Sequence, residues 1–175
     1  MTDFPEHPAS GQLALLALCS DLVIAIEALS IHEIRRTAET VTRSIAPGMW
    51  ALELDSRMVP GWDLGELLGL GSCTTAWVIV DLPRPTRRVG FRIGRCFMVE
   101  PLPVCRAIPR GIFTGTDAAE AGRPEAIAAG FSVAGIPELA GHVSGVVIDL
   151  TRVLTEPERV AAAHLAKDGR EALNA

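Results

Sequence analysis

The chain has 175 residues, 49% of them hydrophobic and 21% charged, with a formal net charge of −5. That composition excludes a disordered chain and suffices for one domain, or for two small lobes sharing a core. The acidic balance leaves no global field to draw the protein to nucleic acid or an anionic membrane.

Residues 1–11 (MTDFPEHPASG) are polar and proline-rich and read as a flexible leader. They lack the basic start of a secretory signal, so a cytoplasmic location is expected. Two apolar runs follow, 13–18 and 22–26, each reading as a buried strand, with Cys19-Ser20-Asp21 as the hairpin turn between them. Asp21 and Glu27 interrupt these runs, which fall well short of the ~20 apolar residues a membrane-crossing helix needs. Ile31-His32-Glu33-Ile34-Arg35 alternates apolar and polar, as a half-buried strand does. Pro47-Gly48 signals a turn.

After Met58-Val59-Pro60-Gly61-Trp62, Asp63 is placed to cap a short helix by accepting from its first-turn amides. Gly69 or Gly71 is placed to end it in the left-handed conformation. Residues 75–80 (TAWVIV) are rich in β-branched side chains and read as a buried strand, closed by Pro83 and Pro85, with 89–93 as its hairpin partner. Residues 115–130 (GTDAAEAGRPEAIAAG) turn to Gly, Ala and acid and read as a long exposed connection. Strands are then expected over 131–136 and 143–148. Thr155 and Glu158 have capping-box spacing, Pro157 is tolerated in a first turn, and Val160, Ala161, His164 and Leu165 share a face. A C-terminal helix over 156–175, ending near Asn174, follows from this.

One pattern occurs twice. Trp62-Asp63-Leu64-Gly65-Glu66-Leu67-Leu68 and Ile148-Asp149-Leu150-Thr151-Arg152-Val153-Leu154 both read apolar–Asp–Leu–x–x–apolar–Leu, each after a strand. Two similar lobes would produce this, and so would coincidence between two ordinary helix starts.

Residues that carry catalysis are sparse. Neither a G-x-S-x-G nor a phosphate-loop motif is present, and Gly69-Leu70-Gly71 follows a helix instead of opening one. His7, His32, His142 and His164 lack metal-ligand spacing, so neither a metal nor another cofactor is expected. Cys19, Cys73, Cys96 and Cys105 include no C-x-x-C pair and read as free thiols of a reducing compartment. Cys96 has Arg92 and Arg95 nearby, which would favour its thiolate. A thiol-dependent or small-molecule-binding barrel is therefore the competing reading, and it needs convergent polar groups in a pocket. Arg84, Arg87, Arg88, Arg92 and Arg95 crowd one hairpin, as a solvated face or as a surface for an acidic partner. Lys167 is the only lysine.

Taken in order, these segments resemble the CheW-like family, the coupling proteins of bacterial chemotaxis arrays. Ile31-His32-Glu33-Ile34-Arg35 followed by Val41-Thr42-Arg43 resembles the family's V-x-E-I-R strand and V-T-R-I stretch. LDSRMVPGWDLGELL, residues 54–68, resembles L-R-G-x-x-x-P-x-x-D-L-x-x-x-L. Residues 77–80 with Val89-Gly90, and GVVIDLTRVL at 145–154, resemble the family's V-I-V strand with its V-G partner and its closing strand. The similarity covers residues 12–155.

The resemblance implies a mainly β fold: two small SH3-like five-stranded β-barrel lobes, with short helical turns, a hydrophobic seam and the C-terminal helix. It implies no catalysis. The expected role is an adaptor in chemosensory signal transduction, docking the regulatory domain of a CheA-type histidine kinase and the cytoplasmic tip of a chemoreceptor. Ile31, Glu33, Arg35, Asp55 and Arg57 match positions on the partner-facing surface. Two departures bear on this. Leu54-Asp55-Ser56 stands where the family has L-R-G, reversing a charge, and the segment around 49–53 is shorter than usual. An acidic partner group that met an Arg would be repelled by Asp55, which fits a divergent paralogue holding a single partner or serving a dedicated pathway.

Overall fold

The structure, a computed structural model, describes residues 13–83, 87–101, 123–142 and 144–171. The leader, Arg84, Pro85, Cys105, Asn174 and the first half of the 115–130 connection lie outside the described residues.

The apolar runs form strands where expected: β1 (Leu13–Cys19) and β2 (Leu22–Glu27) pair as a hairpin. Its turn is Ser20-Asp21, with Ser20 at φ 53°. Next come β3 (Ile31–Arg36), β4 (Thr42–Ala46), β5 (Met49–Leu54) and β6 (Arg57–Asp63). The short helix α1 (Leu64–Leu67) follows, then the hairpin of β7 (Ala76–Asp81) and β8 (Arg88–Ile93). The remaining elements are β9 (Cys96–Pro101), β10 (Ile127–Ser132), β11 (Ser144–Ile148) and α2 (Glu156–Glu171).

Three readings needed correction. β10 begins at Ile127, inside the stretch expected to be an exposed connection, because Ala129 and Phe131 face a core that small residues fit. β4 and β5 form a hairpin across Pro47-Gly48, and β9 follows β8; their polar or mixed sequences gave no strand signal by themselves.

The strands make two sheets. One has five strands in the order β10-β11-β2-β1-β9, and the other has six in the order β3-β7-β8-β6-β5-β4. The first thus has the expected five strands, while the second gains β4 on its edge. Among the described residues neither ladder closes into a barrel.

Apart from β4, the two sheets share one topology. In each, the Asp-Leu strand lies between an antiparallel neighbour (β10 or β5) and a parallel one (β2 or β8). In each, the parallel neighbour belongs to a hairpin whose other strand (β1 or β7) pairs antiparallel with the far edge (β9 or β3). The chain order differs: the six-stranded lobe is continuous, whereas the five-stranded lobe is assembled from β1 and β2 plus β9 to β11. The recurring Asp-Leu motif therefore marks the same place in two equivalent lobes.

Each sheet buries both faces. The facing sides share one core, with Leu15, Ile24, Ile26 and Ile148 from one sheet and Trp62, Val78, Phe91 and Ile93 from the other. The far side of the five-stranded sheet packs Leu16, Val23, Phe131 and Leu139; the far side of the six-stranded sheet packs Leu52, Leu54, Val59, Trp77 and Ile79. Double-sided burial explains why residues 13–18 and 75–80 read as continuous apolar runs. At ~1.5–3 kcal/mol per large side chain removed from water, these cores dominate the stabilising side. Gly61 and Gly90 are paired across β6 and β8; a Cβ at Gly61 would lie 2.2 Å from Leu52 Cδ1, and one at Gly90 2.9 Å from Leu52 Cδ2. Their bare backbone lets Leu52 and Trp77 lie against the sheet.

The two motif aspartates are helix caps, as expected, in different settings. Asp63 is 1% exposed. Its Oδ1 accepts the Glu66 amide at 3.1 Å, and its Oδ2 accepts the Ser72 hydroxyl and Cys73 amide at 2.8 Å each. Arg92 donates to Oδ2 through Nε at 3.1 Å and Nη2 at 2.8 Å. Gly69, at φ 73°, ends α1: its amide donates to Glu66 and that of Leu70 to Gly65. Asp149 instead accepts the Thr151 amide at 3.0 Å and pairs with Arg152 near the surface.

Helix α2 starts as its sequence predicts. Glu158 accepts the Thr155 amide at 2.7 Å, the half of a capping box that returns to the N-cap, and also the Thr155 hydroxyl at 2.9 Å. Arg123 grips the same carboxylate at 2.8 and 2.9 Å. Burial pushes the Glu158 carboxyl up, but Arg123 and Thr155 outweigh it and hold it below its usual value. The helix then packs Ala161, Ala162 and Leu165 on the shared core.

Four outcomes follow from these contacts and from the β5–β6 turn. Asp63→Ala strands Arg92 in the interior and lowers the unfolding free energy in urea by ~3–5 kcal/mol. Asp149→Ala, which removes only a surface cap, lowers it by ~1 kcal/mol. Because Glu158 has a lowered folded-state pKa, its contribution is present above the unfolded carboxyl pKa and lost as pH falls through the folded one. Urea titrations at descending pH should show that acid loss, diminished in Glu158→Gln. The β5–β6 turn holds Asp55 at φ 47° and Ser56 at φ 62°, so Ser56→Gly relieves left-handed strain and should raise stability by about 1 kcal/mol in the same assay.

Candidate functional site

The candidate surface residues divide between two places, and a bulge is the reason. Alternation along β3 would put Ile31, Glu33 and Arg35 on one face. The register with β7 shifts between Ile31 and Glu33: Ile31 pairs with Val80, Glu33 with Ile79 and Arg35 with Trp77. Val80 faces the shared core, whereas Ile79 and Trp77 face the far core of the six-stranded sheet. Ile31 accordingly packs, half-buried, against the shared core, and Glu33 and Arg35 turn to the opposite side. Ile34 pairs with Val78 on the shared-core side and is 44% exposed at this edge.

Glu33, Arg35 and Asp55 meet. Arg35 Nε donates to Glu33 Oε2 at 3.0 Å, and its Nη2 to Asp55 Oδ1 at 3.3 Å. The guanidinium pKa is raised, chiefly by the Glu33 hydrogen bond. β3 and β5 stand far apart in strand order, so this contact requires the six-stranded sheet to curl until its β3 edge meets the tip of the β5–β6 hairpin. Arg57 pairs with Leu54 across that hairpin and lies exposed beside the turn. Four of the five candidates thus share one end of the lobe. The Asp55 side chain, 85% exposed, leans on Arg35, so its charge is partly answered within the chain.

Among the described residues, three arginines of the arginine-rich hairpin are engaged within the chain. Arg92 is taken by Asp63 and stacks on Trp50, its guanidinium carbon 4.5 Å from the ring centre. Arg88 pairs with Asp81 at 3.0 Å, and Arg95 lies 5.2 Å over the Phe97 ring. The sequence reading missed the Arg92 pairing because it is not local: Asp63 and Arg92 are 29 residues apart, and only the parallel β6–β8 register places them level.

A cleft of about 420 Å³ opens between the β4–β5 turn and α2, lined by Pro47, Met49, Trp62, Glu66, Arg123 and Glu158 among others. Arg123 and Glu158 are spent on each other there. Among the described residues, no three His, Cys, Asp or Glu side chains converge as metal ligands. Cys96 has neither Arg92 nor Arg95 as an established partner, and burial pushes its thiol up. No helix among the described residues is long and apolar enough to cross a membrane.

No protein-family model matches the chain, and no curated protein matches it. Among solved structures, it is similar to the scaffolding protein TtCheW from Thermoanaerobacter tengcongensis, with a TM-score of 0.62 and 13% identity. The alignment covers 82% of this chain and 92% of that one. At that identity the likeness establishes the fold, and the fold is the two-lobed, mainly β architecture of a CheW scaffold.

Proposed function

We propose that this chain is a non-enzymatic adaptor of bacterial chemosensory signalling, acting in the cytoplasm by docking a CheA-type histidine kinase, a chemoreceptor tip, or both. The observation that carries this reading is the fold itself, shared over 92% of a CheW scaffold chain. The local geometry suits it. Glu33, Arg35, Asp55 and Arg57 present alternating charge at the curled edge of one lobe, a pattern that supplies specificity and steering more than raw affinity.

The paralogue that holds a single partner is favoured by one feature. Asp55 occupies the tip where the resemblance places an Arg, and its carboxylate is turned to Arg35. An acidic partner group arriving at this tip meets a pair that is already closed.

Binding is tested by titration calorimetry with the kinase regulatory domain and with a receptor-tip fragment from the same organism. At least one binds the wild type, and Arg35→Glu weakens it tenfold or more, about 1.4 kcal/mol. Circular dichroism of the variant checks that the fold is retained. Ile31→Asp is a poorer probe, because it also buries a charge against the shared core. Failure of the wild type to bind any kinase regulatory domain or receptor tip of its organism sinks the reading.

A further inference from the structure

Two thiols meet between the lobes. Cys19 ends β1 in the five-stranded sheet, and Cys73 lies between α1 and β7 of the six-stranded one. They are 54 residues apart in sequence, yet their sulfurs are 3.4 Å apart. Both are buried and both are free cysteines. The backbone is fitted around them. The Cys73 amide is anchored on Asp63 Oδ2 at 2.8 Å. A Cβ at Gly65 would lie 2.8 Å from Cys73 Sγ and 2.1 Å from the Gly71 carbonyl oxygen, so only glycine leaves the sulfur its place. On the other side, a Cβ at Gly94 would lie 2.1 Å from the Leu18 carbonyl oxygen, so a second glycine lets the β8–β9 turn close on the end of β1. Two close backbone approaches thus bring one thiol from each lobe into contact. Apolar packing alone would be met by a pair such as Ala and Val.

We propose that Cys19 and Cys73 are a modification site: an intramolecular disulfide that a small hydroperoxide installs across the seam, tying the two lobes covalently. The Cys73 thiolate attacks the terminal peroxide oxygen. An S–O bond forms, the O–O bond breaks, and the alcohol (water, for hydrogen peroxide) leaves with a proton. Cys19 then gives up its proton and attacks the Cys73 sulfur. The S–S bond forms, the S–O bond breaks, and water leaves. Two thiols and one hydroperoxide yield a disulfide, an alcohol and a water, with two electrons passed to the peroxide. Reaching the usual disulfide length requires the sulfurs to approach by about 1.4 Å, within the reach of small χ1 and backbone adjustments. The order of attack follows the environment. Hydrogen bonding with Cys19, opposed by burial and the Asp63 charge and aided by the Gly65 and Ser20 backbone, holds the Cys73 thiol below its ordinary value, while Cys19 is pushed up.

The test uses the reduced full-length chain, treated with hydrogen peroxide, quenched, alkylated in denaturant and mapped by peptide mass spectrometry. A 19–73 linked peptide is expected, two hydrogens lighter than the free pair and reversed by dithiothreitol. It persists in Cys96→Ser and is absent from Cys19→Ser and Cys73→Ser. The oxidised wild type should also unfold at a higher urea concentration than the reduced form. Should either serine variant fail to fold, mapping of the wild type decides alone. The proposal is overturned if peroxide that oxidises the denatured chain leaves both thiols reduced in the folded one. It is equally overturned if the pair goes to sulfinate without a link, or if the link found involves Cys96 or Cys105.

Discussion

A single buried carboxylate organises the six-stranded lobe. Asp63 ends β6, caps α1, fixes the Ser72-Cys73 loop and receives both Arg92 donors from β8. Two charges removed from water cost several kcal/mol each, and such a pair is tolerable only when further hydrogen bonds support it. Here five donors meet the carboxylate, four on Oδ2 and one on Oδ1. Arg92 is held a second time by the Trp50 ring, which connects the node to β5. The node therefore determines where four segments end and where the Cys73 thiol lies, and the seam between the lobes follows from it.

The five-stranded lobe solves the same problem with less. Its Asp-Leu strand has the same antiparallel and parallel neighbours, yet Asp149 stays near the surface with Arg152. The parallel register explains the difference. Asp63 lies level with Arg92 on β8; the pairing of Ile148 with Ile26 makes Glu27 the next residue on β2, where a buried aspartate would meet a like charge. Equivalent topology thus carries an ionic core node in one lobe and a surface cap in the other. α2 compensates by laying Ala161, Ala162 and Leu165 over the seam, anchored through the Arg123–Glu158 pair.

The surface proposed for partners depends on curvature. Strand order alone sets β3 and the β5–β6 hairpin far apart, and the curl of the sheet brings Arg35 to Asp55. Neither position of the turn is glycine, although both have positive φ. Asp tolerates that conformation better than most residues, which makes Asp55 both a turn residue and a charge. The proposed partner contact at Asp55 is thus tied to the bend of the chain there.

The sequence by itself determined the strands that are apolar on both faces, the two Asp-Leu caps, a left-handed glycine at the end of α1 and the Thr155–Glu158 contact that starts α2. Each of these is a local rule: a run, a cap or a left-handed glycine acts within a few residues. The ordered set of such segments also sufficed for the resemblance to a two-lobed scaffold. Tertiary structure alone decided the rest. β4, β5 and β9 became strands because neighbours offered them a ladder. The bulge after Ile31 sent it to a different face from Glu33. Arg92 left the surface for an aspartate brought level by strand pairing, and Cys19 met Cys73 across the seam. In every such case the partner lies far along the chain or on a neighbouring strand, and its distance is set by register and sheet curvature, which no short window of residues encodes.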